Sequence, residues 1–101
     1  MKSKNLPKFL KPYFWSVDFN DLDFSNDKDY IIHQVLSFGD MEALKWLFRA
    51  YSKATIKKSF LNRPTKIYRP QTFNFVKNFL LDLNKNININ KYVINTPRGI
   101  R

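Results

Sequence analysis

Apolar residues recur at helical spacing through the middle of this chain. In MEALKWLFRAY (41–51), Leu44, Leu47, Phe48 and Tyr51 follow the i, i+3, i+4, i+7 rule and predict the buried stripe of a helix. Lys45 and Arg49 share its opposite side, and Asp40 stands where a helix cap belongs. The stretch before it, SNDKDYIIHQVLSFGD (25–40), predicts a first helix with Ile31, Ile32, Val35 and Leu36 as its apolar face. Ser25 or Asn26 is the expected cap there, and Asp27 and Asp29 fall in a first turn whose dipole favours negative charge. Gly39 is placed to take a left-handed conformation at the end.

Ser52 is the expected cap of a third helix, KATIKKSFLN (53–62), which buries Ile56 and Phe60 and shows Lys57 and Lys58. About eight loop residues follow, with Pro64 among them, before Pro70 opens a fourth helix, PQTFNFVKNFLLDL, at a position that tolerates proline. Phe73, Val76, Phe79, Leu80 and Leu83 are its expected buried face.

The ends of the chain lack this period. Residues 1–12 read as a basic, loosely ordered arm broken by Pro7 and Pro12. YFWSVDFNDLDF (13–24) threads aromatics through aspartates and predicts an extended strap. In it Phe14, Trp15, Val17, Phe19, Leu22 and Phe24 anchor to the helices, while Asp18, Asp21 and Asp23 stabilise turns. Beyond residue 84 the alternation in NKNININKYVI suggests a short strand or a tail that orders on a partner, and TPRGIR is expected to fray. The expected organisation is an arm (1–12), a helical domain (13–84) and an Asn-rich basic tail (85–101). The expected fold is all-α, a compact bundle of about four short helices with a helix-turn-helix-like second half.

Length and composition agree with one aromatic-rich core. In 101 residues there are ten Phe, five Tyr and two Trp, but two Gly, which disfavours a turn-rich sandwich or barrel. Cysteine is absent, which removes disulfides and thiolate metal sites and fits a cytoplasmic protein. No run reaches the length of a membrane span, and the basic N-terminus lacks the apolar core of a signal peptide.

The net charge of +10 is unevenly placed. Residues 18–42 carry seven acids against Lys28 alone, a net of −6, whereas residues from 43 onward carry thirteen Lys or Arg against Asp82, a net of +12. Such a polarised field attracts polyanions.

Chemical sites largely fail on their spacing. Counting Asp21 as position 1 of a calcium loop places Asp23, Ser25, Asp27 and Asp29 suitably. However, Asn26 takes the place of the required glycine and Ile32 that of the bidentate glutamate. His33 is the one histidine and has no partner for a triad or zinc site, so it is expected at the core boundary. There is no glycine-rich phosphate loop, and neither enzyme activity nor a cofactor is expected. What remains is a basic segment. Lys53, Lys57, Lys58, Arg63, Lys66 and Arg69 are suited to phosphates, and they precede a helix whose first turns carry Gln71, Thr72, Asn74 and Lys77. Gln and Asn near a helix N-terminus are the side chains that pair bidentately with adenine in a major groove.

FWSVDFNDLDF, DYIIHQVLSFGD, ALKWLFRAYSKATIKKSF and TFNFVKNFLL together resemble a group of small, uncharacterised bacterial proteins over about residues 13–83. Those proteins share an FW-D-D…LD(W/F) opening, an FII-RVL--GD helix, a WL---YG helix and a closing T-NFW helix. The resemblance implies an antitoxin-like regulator encoded beside a nucleotidyltransferase-type toxin of an abortive-infection system. Two functional expectations follow. One is a non-enzymatic DNA-binding regulator that uses the basic helix-loop-helix face. The other is an interaction module that binds a toxin or enzyme directly, without nucleic acid. The expected partners are therefore duplex DNA, a nucleotidyltransferase-like toxin and a second copy in a homodimer.

Overall fold

Capping chemistry sets most of the helix starts. The computed structural model describes residues 6–15, 17–83 and 87–94. Within them helix α1 spans Lys28–Phe38, α2 Met41–Ala50, α3 Lys53–Asn62 and α4 Pro70–Phe75, and α4 continues as a π-helical turn over Val76–Leu80. The Asp40 carboxylate accepts the Ala43 N–H at 2.9 Å and the Ser52 hydroxyl accepts the Thr55 N–H at 3.1 Å, as the sequence predicts. Pro70 occupies the start of α4. Among the described residues there is no sheet, and the fold is a small all-α bundle.

The start of α1 differs from expectation. Its N-cap position is Asp27, which makes no side-chain capping hydrogen bond, and neither Ser25 nor Asn26 caps it; side-chain acceptors act one turn earlier, at Asp23. Asp23 Oδ1 accepts the N–H groups of Ser25 and Asn26 at 2.8 and 3.0 Å, and Asp27 Oδ2 in turn accepts the Asp23 N–H at 2.8 Å. This reciprocal pair builds a helical turn ahead of α1, in the manner of a capping box.

At the centre of the bundle lies α1. Every residue from Ile31 to Leu36 is buried, His33 and Gln34 included, because α2, α3 and the N-terminal 3-10 helix (Lys8–Tyr13) all pack on it. Buried polar groups need partners. Gln34 Nε2 donates to the Tyr13 carbonyl at 2.6 Å, which ties the strap to α1.

Gly39, at the end of α1, has φ −71° and ψ 152°, so it does not take the expected left-handed conformation. Its reason is space. A Cβ there would lie 2.7 Å from the Val35 carbonyl oxygen and 2.9 Å from the Ala43 Cβ. The absent side chain lets α1 and α2 join across a tight bend.

The aromatic strap is anchored more selectively than its composition suggests. Phe14 is buried, and Phe19, Leu22 and Phe24 are half-buried against the core. Phe24 stacks on Tyr51 with centroids 4.3 Å apart, and the Tyr51 hydroxyl donates to the Phe24 carbonyl. Trp15 and Val17 are corrections: they are 63% and 41% exposed. The strap is not uniformly extended, since Phe19–Asp21 forms a 3-10 turn.

Both ends of the described chain enter the core. Leu6 and Leu10 are buried in the segment expected to be a loose arm, because the 3-10 helix brings them onto α1. In the Asn-rich segment the expected strand contributes a single parallel bridge between Tyr68 and Val93, with the Tyr68 N–H donating to the Tyr92 carbonyl at 2.8 Å. Tyr92 is buried and stacks on Phe60 at 4.5 Å, and its hydroxyl donates to the Phe60 carbonyl. The terminal TPRGIR lies outside the described residues.

Candidate nucleic-acid interface

Three pieces of chain present the basic segment: α3, the seven-residue loop 63–69, and α4. Burying Ile56 and Phe60 turns α3 so that Lys53 and Lys58 are exposed and Lys57 half-exposed. Arg63, Lys66 and Arg69 are exposed along the loop. On α4, Phe73 and Val76 point inward, which leaves Gln71 and Asn74 exposed and Thr72 and Lys77 at the boundary. All ten predicted residues thus reach solvent.

The positive charge of this segment is little neutralised. Arg63 Nε lies 3.7 Å from Asp29 Oδ2, and among the described residues no carboxylate pairs with Lys53, Lys57, Lys58, Lys66, Arg69 or Lys77. Lys77 Nζ is 3.5 Å from the side-chain oxygen of its neighbour Asn78.

Behind the loop is a buried polar relay that hydrophobic pattern does not disclose. His33 Nε2–H donates to the Arg63 carbonyl, and the Tyr68 hydroxyl donates to His33 Nδ1, both at 2.6 Å. A carbonyl can only accept, so Nε2 carries the proton and the neutral ring accepts at Nδ1. Burial holds the His33 pKa below its ordinary value, opposed by hydrogen bonding to nearby backbone and by the Asp29 charge. Tyr68 is pushed well above the usual phenol range by burial. Ser37 Oγ donates to the Ile67 carbonyl at 2.9 Å. The loop is therefore pinned at Arg63, Ile67 and Tyr68, while its cations point outward. In place of the expected core boundary, His33 is fully buried, because it satisfies this loop's backbone.

The second half of the fourth helix departs from its predicted face. The π-turn adds a residue to the repeat, and Leu81 N–H donates to the Val76 carbonyl at 2.9 Å. Leu81 enters the core in place of Phe79, which is 76% exposed. Phe79 and Phe75 then form an outward ring pair, centroids 5.8 Å apart. A second outward pair, Trp15 and Phe38, meets edge to face at 4.9 Å. Neither pair is legible from period, because one depends on a π-turn and the other on the strap's path.

Of the three strap aspartates expected to stabilise turns, Asp18 and Asp23 accept turn N–H groups through their carboxylates. Asp18 accepts the Asn20 N–H at 3.1 Å, alongside the Asp23 and Asp27 pair already described. Among the described residues no three His, Cys, Asp or Glu side chains converge as a metal site. Nor is any described helix long and apolar enough to cross a membrane.

No curated protein and no solved structure matches the chain. Residues 9–60, from the N-terminal 3-10 helix through Phe60 of α3, match the model of a protein family. That match takes in the strap, its aspartate turns and the α1–α2 bend at Gly39, over half of the chain, and so this protein belongs to DUF6922, a family of unknown function.

Proposed function

We propose that this protein is a non-enzymatic, antitoxin-like regulator that binds duplex DNA through the basic face of α3, the 63–69 loop and α4. One observation carries the reading: a run of outward-facing cations, from Lys53 to Lys77, that the described carboxylates leave almost wholly unpaired. Unpaired surface cations bind phosphates by releasing counterions, and their number sets the salt dependence. Lys53, Lys57, Lys58, Arg63, Lys66 and Arg69 position the backbone, and Gln71 and Asn74 on the exposed side of α4 read base edges. A loop of seven residues is longer than the three or four of a standard helix-turn-helix. The pinning by His33, Ser37 and Tyr68 supplies the rigidity that a short turn would otherwise give.

The test is fluorescence anisotropy with a 30-bp duplex across a salt series. Wild type is expected to lose affinity steeply with salt. Reversing Lys57, Lys58, Arg63 and Arg69 to Glu should flatten that slope by about 0.9 for each phosphate no longer neutralised. Equal binding by wild type and the fourfold variant would end the proposal.

The outward Trp15–Phe38 pair favours a second reading, an interaction module that grips a nucleotidyltransferase-like toxin directly, without nucleic acid. Co-expression with the product of a neighbouring toxin-like gene tests it: Phe38→Ala should abolish co-purification while the variant stays folded.

A further inference from the structure

The basic face contains a small cleft, of about 210 Å³, between the first turn of α1 and one side of α3, from Thr55 to Asn62. Three cations border it: Lys28 from α1, Lys58 from α3, and Arg63 from the residue that closes α3. Thr55 and Asn62 add a hydroxyl and an amide to its lining. The acid present, Asp29, is already engaged. Ser59 Oγ donates to its Oδ1 at 2.5 Å, and Arg63 Nε lies 3.7 Å from its Oδ2. That approach is made through Nε and is too long for a hydrogen bond, and among the described residues no hydrogen bond or ion pair takes the two terminal nitrogens.

The chemistry of this lining is that of an oxyanion receptor. Three cations against one hydrogen-bonded carboxylate leave a local excess of positive charge. The first turn of α1 adds the positive end of its dipole. The volume is below the range of about 300–1,000 Å³ usual for whole small-molecule ligands, so it suits a single charged group. Arginine pairs bidentately with phosphate and lysine acts as a point charge on it, so the lining can meet a tetrahedral anion from several sides.

We infer that this cleft is a phosphate-binding subsite, in which Lys28, Lys58 and the terminal nitrogens of Arg63 hold one phosphate group and Thr55 and Asn62 donate to its remaining oxygens. Lys28 then belongs to the interface although it lies in the acidic part of the sequence. The inference deepens the DNA reading and rests on it for its natural occupant, a backbone phosphate; free inorganic phosphate has the same chemistry.

Two titrations of ¹⁵N-labelled protein at constant ionic strength test it, one with inorganic phosphate and one with the 30-bp duplex. Lys28→Gln and Lys58→Gln are compared with Lys45→Gln, which removes the same charge from an exposed position on α2 outside the cleft. Phosphate should shift the amide signals of Lys28, Asp29, Ser59, Asn62 and Arg63 selectively. Lys28→Gln and Lys58→Gln should each weaken phosphate binding about tenfold, and lower the duplex salt slope by about one. Lys45→Gln should leave phosphate affinity within about twofold, since an exposed charge outside the cleft is screened. If phosphate shifts the cleft signals but the wild-type duplex does not bind, the subsite stands and the DNA reading falls. If the duplex binds and the cleft variants behave as Lys45→Gln does, the subsite is overturned and the DNA reading stands.

Discussion

His33 is the residue on which the interior chemistry turns. It is neutral, with both ring nitrogens hydrogen-bonded and its pKa lowered from 6.5 by burial. The groups that face it are the Tyr68 hydroxyl, the Arg63 carbonyl and the Asp29 charge. Between its unfolded value and its lower folded value, the unfolded chain binds the proton and the folded chain does not. Stability is therefore expected to be whole above pH 6.5 and to fall as the pH drops below it, with a slope of up to about 1.4 kcal/mol per pH unit. Urea titrations at pH 7.5, 6.5 and 5.5 check this. His33→Leu should be less stable throughout but should lose that slope, since His33 is the one histidine.

Two other residues separate chemical type from position. Trp15 reads as a core anchor but contributes an exposed edge-to-face pair with Phe38, worth about 0.5–1.5 kcal/mol. Its neighbour Phe14 is buried, so Phe14→Ala should cost about 3–5 kcal/mol and the largely exposed Trp15→Ala clearly less, as measured by chemical denaturation. Gly39→Ala forces a methyl to within 2.7 Å of the Val35 carbonyl oxygen. The backbone cannot yield there without parting α1 from α2, so a loss of about 1–3 kcal/mol is expected in the same assay.

Among the elements, the fourth helix departs furthest from its own sequence pattern. An uninterrupted α-helix over PQTFNFVKNFLLDL would bring Phe79 inward, but the π-turn substitutes Leu81. The turn ends with the Leu83 N–H donating to the Lys77 carbonyl at 2.8 Å, one residue wider than a Schellman motif. Asp82 takes the left-handed position with φ 51°. A non-glycine there costs about 1–2 kcal/mol, and an acid at a helix C-terminus also opposes the dipole. Asp82→Gly is thus expected to stabilise the protein by about 1 kcal/mol, a rise in Tm of about 4–8 °C readable by calorimetry. A fall in Tm would show that the carboxylate has a role that outweighs its strained backbone.

At the scale of the whole molecule, the two ends of the described chain close the core. Phe60, Tyr68, Phe73 and Tyr92 form one ring cluster next to His33, with Tyr92 brought in from the Asn-rich segment. Removing residues 84–101 exposes the cluster and leaves the Phe60 carbonyl without the Tyr92 hydroxyl. The truncated protein is expected to lose several kcal/mol and to melt at a markedly lower temperature in a circular dichroism scan. Loss of partner binding on such a truncation is interpretable only beside that melt. Charge is polarised at the same scale. The acids of residues 18–42 accept hydrogen bonds in caps and turns but keep their charge, so this part of the chain stays acidic beside the basic residues from 43 onward.

Local sequence was enough for the all-α class, the cap and stripe of α2, the cap of α3, the proline start of α4 and the basic segment. These follow from interactions within a turn or two of chain, which pattern and capping chemistry report directly. Which rings are buried, what His33 binds, why position 39 is glycine and that Lys28 borders the same cleft as Lys58 and Arg63 were settled by packing in three dimensions. Most of those depend on segments distant in sequence: the His33–Tyr68 and Phe60–Tyr92 hydrogen bonds join residues 35 and 32 positions apart. The Phe79 reversal arises from one additional residue in a helical repeat. That change is too small for hydrophobic period to register but large enough to move a side chain from core to solvent.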